Sequence, residues 1–579
     1  MAIIGIDLGT TNSLASVWRN GRCELIPNSF GEFLTPSVVG FDDEGNVIIG
    51  KIAKQRLVSH PDLTAASFKC FMGTKQEISL GKKVFTPPEL SSFILRQLKE
   101  DAELYLGESV EEAVISVPAY FDDNGRSATK LAGELAGLNV ERIINEPSAA
   151  ALAYKQGTDN EDMFLIFDFG GGTLDISIVD IFDSVIEIIA VAGDNHLGGD
   201  DFNRAIAEYF CKENQLNYSA LPSEVKAIVL KQAELCKIAL STQPEAAMVL
   251  NYNDHVYTLA LDNQKLLTVT ADLFERIEKP IVKALHDASV SANEISEVIL
   301  IGGSSHMLLV QKYLENLFDT QINVTISPDT AVALGVGIAS GIKARNEDIK
   351  DMVLTDICPF SLGTGIRNRE NEYEPYFCPI IERNTTLPAS IVKRFYSSVD
   401  NQRVLSVDIA QGEKMYLKQN LFLDEIEIDI KPAPAGEKSI DVRFSYDING
   451  ILQVDVTNNE TGKVISKTIV NNNRLSEKEI KSKLAQLEKL KIHPRDLDKN
   501  KLLIARAESL YEESIGDLRE IIRFQLERFN NALSIQDSRK IRKTTESFSR
   551  FLDSIENGGY NPFSNFNDYD SYEDEEDYD

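Results

Sequence analysis

Two short segments of this chain combine residue types that could bind phosphate. Residues Ile3–Val17 read I-I-G-I-D-L-G-T-T-N-S-L-A-S-V, and Phe164–Val179 read F-L-I-F-D-F-G-G-G-T-L-D-I-S-I-V. Each passes from an apolar strand through an aspartate into a glycine- and threonine-rich turn, then into a second apolar strand. Such a turn frees backbone N–H groups to point into one space, and threonine hydroxyls add donors there. The candidate cradle residues are Gly9, Thr10, Thr11 and Asn12 on one side, and Gly170, Gly171, Gly172 and Thr173 on the other. Asp7 and Asp168, one per segment, offer hard oxygens that could hold a hydrated Mg2+ between them. One copy would say little. Two copies, starting at residues 3 and 164, imply duplicated halves closing on one nucleotide.

A nucleotide also needs a slot for its base. The turn Gly302-Gly303-Ser304-Ser305 follows the apolar run Val298–Ile301, and Glu234, Lys237 and Ser241 share a helix face at spacings i, i+3 and i+7. Plainer readings stand beside these. The aspartates could be turn formers, and Glu234 and Lys237 an ordinary surface pair.

The elements that must hold these residues are legible as texture. Residues 1–345 alternate strand-like runs (Val114–Val117, Phe164–Phe167, Val298–Ile301) with helical ones (Glu224–Leu240, Leu273–Ala292), which predicts an α/β domain with parallel strands. Residues 346–357 turn charged, then briefly apolar, then stop at a proline; they are predicted to be a linker. Over 358–470 the period becomes two, as in Leu405, Val407 and Ile409, or Ile440, Val442, Phe444 and Tyr446, with Asn449-Gly450 as a hairpin turn. That predicts an antiparallel β domain with one buried face. Residues 471–556 are helical in pattern, opening on a Ser476…Glu479 capping box and carrying Leu518, Ile522, Leu526 and Phe529 on one stripe. The remaining 557–579 end in an acidic run expected to be disordered.

Composition narrows the function. A chain of 579 residues should hold about two to four domains. A net charge of −31 argues against nucleic-acid binding, since phosphate backbones would be repelled. No apolar run is long enough to span a membrane, and Ala2–Ile6 has neither a basic flank nor a cleavage site, so a cytoplasmic location is expected. Six scattered cysteines without a C-x-x-C pair speak against a disulfide framework or a zinc site.

The motifs I-G-I-D-L-G-T-T-N-S (Ile4–Ser13), V-P-A-Y-F (Val117–Phe121), I-I-N-E-P-S-A-A-A-L-A-Y (Ile143–Tyr154), D-F-G-G-G-T-L-D (Asp168–Asp175), G-D-N-H-L-G-G-D-D-F (Gly193–Phe202) and the Gly302 turn together resemble those of DnaK-type chaperones. This is the 70-kDa heat-shock protein family, and the resemblance is to its bacterial HscC branch. It implies an actin-like, duplicated ribonuclease H-like ATPase domain, a β-sandwich that binds extended apolar peptide, and an α-helical lid. Lys69, Glu146, Asp168 and Thr173 would be catalytic, with Asp7 and Asp168 toward the metal. Gly198, Gly199, His306 and Asp329 would join the residues above in binding ATP. Pro118, Arg126, Arg142, Leu354 and Asp356 would relay nucleotide state, with Arg142 and the apolar linker meeting a J-domain co-chaperone. Thr364, Ile366, Arg367, Phe395, Ser398 and Leu405 would line or arch over the peptide groove. ATP/ADP and Mg2+ are the implied cofactors, with K+ a further candidate. An unfolded client and a nucleotide exchange factor complete the implied partners, in a bacterial cytoplasm without nucleic acid or membrane.

Departures from the family pattern carry their own expectations. His306 stands where an arginine usually stacks on adenine, and Ile238 where some relatives carry a second; both predict weaker nucleotide binding and faster exchange. Phe71–Thr86 is shorter than in DnaK. Arg367 and Ser398 replace an apolar arch, and Ala435 replaces a lid-latching arginine, which predicts a narrow client range and a loose lid. A small-molecule kinase or a filament former of the actin superfamily is the rival reading. Neither has a use for residues 358–555.

Overall fold

The two glycine turns lie at matching places in two six-stranded sheets. A computed structural model describes every residue except 1, 43, 158–161, 183–184, 321, 324–325, 350–351, 369–370, 449, 471–493, 515 and 557–579. In the first sheet the order is Asn139–Asn145, Val110–Val117, Ala2–Asp7, Asn12–Arg19, Arg22–Ile26. In the second it is Ile322–Asn323, Glu297–Ile301, Met163–Phe169, Leu174–Phe182, Val185–Asp194. Both run parallel, parallel, antiparallel, antiparallel across those five strands. The duplication inferred from the motifs is therefore a duplication of topology.

The expectation of parallel strands needs correcting, because each sheet is mixed. Only four residues separate Asp7 from Asn12, which is enough for a hairpin but too few for a crossover. Between the sheets pack two helices, Glu146–Gly157 and Ala331–Lys343. They touch closely: a Cβ added to Gly335 would fall 1.7 Å from the Ala149 carbonyl oxygen. Helices Pro87–Leu106 and Asp123–Leu135 cover the outer face of the first sheet. Ala271–Ala288 and Leu308–Phe318 cover that of the second.

Two four-stranded antiparallel sheets follow, built from strands within Leu362–Val470. Their shared core holds Leu405, Val407, Ile409, Ile440, Val442 and Phe444, as the period-two pattern requires. Asn449 of the expected hairpin turn lies outside the described residues; Gly450 beside it takes a φ of +81°. Helices Asp498–Glu513, Asp517–Ile535 and Ser538–Glu556 form a bundle around Ile522, Phe529, Phe548 and Leu552. The Ser476 capping box and the acidic tail fall outside the described residues.

Within the linker, Val353–Thr355 is a strand. It runs parallel to Val185–Asp194, with Leu354 opposite Ile186, and extends the second sheet. A free strand edge offers unpaired backbone groups, and the apolar V-L-T segment fills it.

Candidate functional site

The cleft holds a cavity of about 290 Å³ bordered by both turns: Asp7, Gly9, Thr10, Thr11 and Asn12 from one, Asp168, Gly170, Gly171 and Thr173 from the other. Lys69, Glu146, Gly199, Glu234, Lys237, Gly302, Gly303, Ser304 and Asp329 complete the expected part of its lining. Lys237 does more than face the slot, since its Nζ donates to the Gly199 carbonyl at 2.9 Å.

Four expected nucleotide contacts stay outside this lining: Gly172, Gly198, Ser241 and His306. Gly198 acts from behind. A Cβ there would lie 2.3 Å from Gly171 backbone atoms, so its bareness lets helix Gly199–Glu213 close against the turn. Ser241 lies two residues beyond the end of the helix Ser223–Ala239. His306 sits at the rim, its Nε2 3.2 Å from Asp329 Oδ2, and this hydrogen bond raises the imidazole above its ordinary pKa. Leu34, Lys54, Asp200 and Asn203 also line the cavity and were not anticipated. Asp200 follows Gly199 directly within a quoted motif; Lys54, on the helix Gly50–Ser59, left no signal.

At the bottom of the cleft the charge is unbalanced. Lys69, only 4% exposed, places Nζ 2.6 Å from Glu146 Oε1. Asp168 and Asp175 are buried nearby, and Asp7 is half-buried. Burial, reinforced by Glu146, pushes the Asp7 carboxyl up to about 7, against the pull of Lys69 and a Ser116 hydrogen bond. Burial and Glu146 likewise lift Asp175 to about 7, and Asp168 well above the carboxylate range. Burial lowers the Lys69 pKa, but Glu146, Asp7 and Asp168 outweigh it and leave the ammonium above its usual value. Lys69 therefore keeps its proton. Asp175, missed as a site residue, is the last letter of D-F-G-G-G-T-L-D.

Among the described residues no three carboxylate, imidazole or thiol groups converge as a metal cage. The donor set still fits Mg2+, which keeps most of its waters and binds through one or two carboxylates. Asp7 and Asp168 could supply those oxygens, and their raised pKa values mark a place where added positive charge is favoured.

A family model described as Hsp70 protein matches residues 3–79 and 75–558. The chain is similar to the chaperone protein DnaK of Thermotoga neapolitana, with 38% identity over 535 residues, covering 90% of this chain and 88% of that one. It is similarly 38% identical to DnaK of Thermotoga petrophila and of Thermotoga maritima, over 88% of this chain and 87% of each. The chain belongs to the Hsp70 family. The kinase and filament readings find no support, because the match to the Hsp70 model continues through the β-sandwich and the helices. Nothing in these similarities supports a narrow client range.

In this Hsp70 the floor of the cleft is joined to the linker by hydrogen bonds. Asn145, next to Glu146, accepts from Arg126 Nη2 at 2.5 Å and donates to Asp356 Oδ2 at 2.8 Å. Ser148 Oγ donates to the same Asp356 oxygen. Arg126 also donates to the Phe121 carbonyl, while Pro118 accepts from the Phe121 N–H and shapes that turn. Arg142 is largely desolvated, which lowers its pKa, with Asp356 opposing. The β-sandwich docks onto the first domain through contacts that sequence reading missed: Arg383 with Asp287, Gln411 with the Asp123 N–H, and Tyr446 OH with Asp123 Oδ1. No local pattern marks a pair so far apart in the chain.

The groove residues are less gathered. Leu405 is buried in the sandwich core with Phe395 packed against it, and Thr364 is buried too. Ile366, Arg367 and Ser398 are exposed. Ala435 donates its N–H to Asp400. The helical bundle reaches both neighbours, through Gln536 to the Val392 backbone and Arg542 to Glu187.

Proposed function

We infer that this Hsp70 is an ATP-dependent chaperone in which hydrolysis at the Lys69 cleft controls a peptide-binding β-sandwich. The observation that carries the reading is a path of two hydrogen bonds joined by one peptide bond. Lys69 meets Glu146, Asn145 adjoins Glu146, and Asn145 holds Asp356 of the docked linker. The reaction is hydrolysis of ATP to ADP and phosphate, and phosphoryl transfer asks for positioning and charge stabilisation more than for covalent help. Lys69, protonated, donates to the attacking water and to the γ-phosphate oxygens; Glu146 holds the ammonium in place. Thr10, Thr11 and Thr173 with the glycine N–H groups cradle the phosphates. Mg2+ held through water by Asp7 and Asp168 would supply neutralising charge at the β- and γ-phosphates. K+ has only the sequence resemblance behind it.

In this reading, residues 1–345 are an actin-like ATPase domain, 346–357 the linker, 358–470 the peptide-binding sandwich, 471–556 the lid and 557–579 an acidic tail. The linker strand beside Val185–Asp194 corresponds to the ATP-bound, open arrangement, and its release would follow hydrolysis. Coupling must be reciprocal, so bound peptide accelerates hydrolysis. Unfolded clients, a J-domain co-chaperone meeting Arg142 and the linker, and an exchange factor are the proposed partners. Six free thiols suit a reducing, cytoplasmic compartment. Phosphate release from wild type and Lys69→Ala, with and without an apolar peptide, tests this. A wild-type chain that neither hydrolyses ATP nor responds to peptide overturns it.

A further inference from the structure

The two lobes of the cleft meet above the catalytic floor at a hydroxyl. Ser67 Oγ donates to Asp200 Oδ2 at 2.9 Å, joining residues 133 apart in sequence. Ser67 starts the short turn Phe68–Phe71 that carries Lys69, and it does so with a φ of +55°, a conformation that L side chains adopt at a cost. Asp200 belongs to the other lobe, at the start of the helix Gly199–Glu213. That helix start is bonded to the second phosphate turn: the Asp200 N–H donates to the Gly171 carbonyl at 2.8 Å, and the Gly199 N–H to the Gly170 carbonyl at 3.0 Å. Cys70 presses on the same turn, since a Cβ added to Gly172 would fall 2.4 Å from its sulfur. One hydrogen bond thus links the segment holding Lys69 to the body holding the γ-phosphate cradle.

We propose that Ser67 is a positioning residue that latches the cleft shut across its mouth through Asp200. It sets Lys69 against the second phosphate turn and limits how fast the cleft opens to release ADP. Opening must break this bond, because its two ends ride on different lobes. A hydrogen bond to a carboxylate changes an equilibrium by about tenfold or more. The backbone strain at Ser67 is tolerated because the reach of its side chain depends on it. This inference rests on the cleft being the ATP site described above.

The test uses the full-length chain with Ser67→Gly, which relieves the positive φ and removes the CH2OH side chain with its hydroxyl. Thermal melting checks that the variant is folded, and release of a fluorescent ADP analogue is followed by stopped flow. Release about tenfold faster than wild type is expected, together with slower single-turnover hydrolysis. Asp200→Ala should match it, and the double variant should add nothing further. Release rates for Ser67→Gly within twofold of wild type overturn the proposal, as does full additivity of the two single changes. Failure of wild type itself to bind the ADP analogue would instead defeat the assignment of the cleft.

Discussion

The two phosphate turns share a plan but are braced differently. In the first half, Ser37 Oγ donates to the Gly9 carbonyl, and the Gly9 N–H donates to Ser13 Oγ, so hydroxyls of its own lobe hold the loop. In the second half, backbone N–H groups of Gly199 and Asp200 hold the loop, and they belong to a helix leading into the outer segment 199–262. The strand partners differ as well: Asp7 lies opposite Leu14, whereas Asp168 lies opposite Asp175. This bracing predicts a first turn that stays fixed as a wall and a second that moves with its helix; beside the second, Asp168 faces another carboxylate, Asp175.

This contrast yields graded expectations. The largest effect belongs to neither turn but to the cation between them. Lys69→Ala should lower single-turnover hydrolysis about a hundredfold or more, with nucleotide affinity changed only a few-fold in calorimetry. Next, Gly198→Ala should weaken nucleotide binding at least about tenfold by forcing the helix start off the second turn. Ser37→Ala, at the first turn, should cost only about 1 kcal/mol of stability in urea unfolding. Equal losses from the two changes would erase the distinction between wall and moving part.

A smaller effect is expected at the linker. Asn145→Ala should remove most of the acceleration by peptide, leaving two- to fivefold less stimulation in phosphate-release assays, since Asp356 then loses its nearest partner from the first half. The smallest effect concerns pH. Asp175 is raised to about 7 by burial and Glu146, so the folded chain holds that proton longer than the unfolded one. Its contribution to stability is full near pH 4 and is lost as pH rises through 7. Asp175→Asn should therefore gain on wild type by at least about 1 kcal/mol between pH 5 and pH 8, read from urea midpoints without nucleotide. A constant difference across that range would remove Asp175 from the charge surplus.

Part of the cleft was legible because its chemistry is local, whereas Lys69 and Glu146 came through the family resemblance. An aspartate, a glycine turn and a flanking apolar strand occupy neighbouring positions, and repeating them reveals the duplication. Ser241 follows the end of the helix Ser223–Ala239; periodicity gives a face but not the residue where the helix stops. The mixed sheets were misjudged because alternating elements suggest crossovers, while short turns enforce hairpins. Tyr446 and Asp123, or Arg383 and Asp287, have no local signature, and only folding brings them together.

The amino-acid order by itself determined the twin phosphate turns, the period-two sandwich and the apolar stripe of the helical bundle. These follow from backbone geometry and burial acting over a few residues. Tertiary structure alone decided that Lys69 lies against Glu146, that Ser67 reaches Asp200, and that the linker becomes a strand. Each of these joins groups tens to hundreds of residues apart, and such pairs exist only once separate cores have packed and stripped their charges of water.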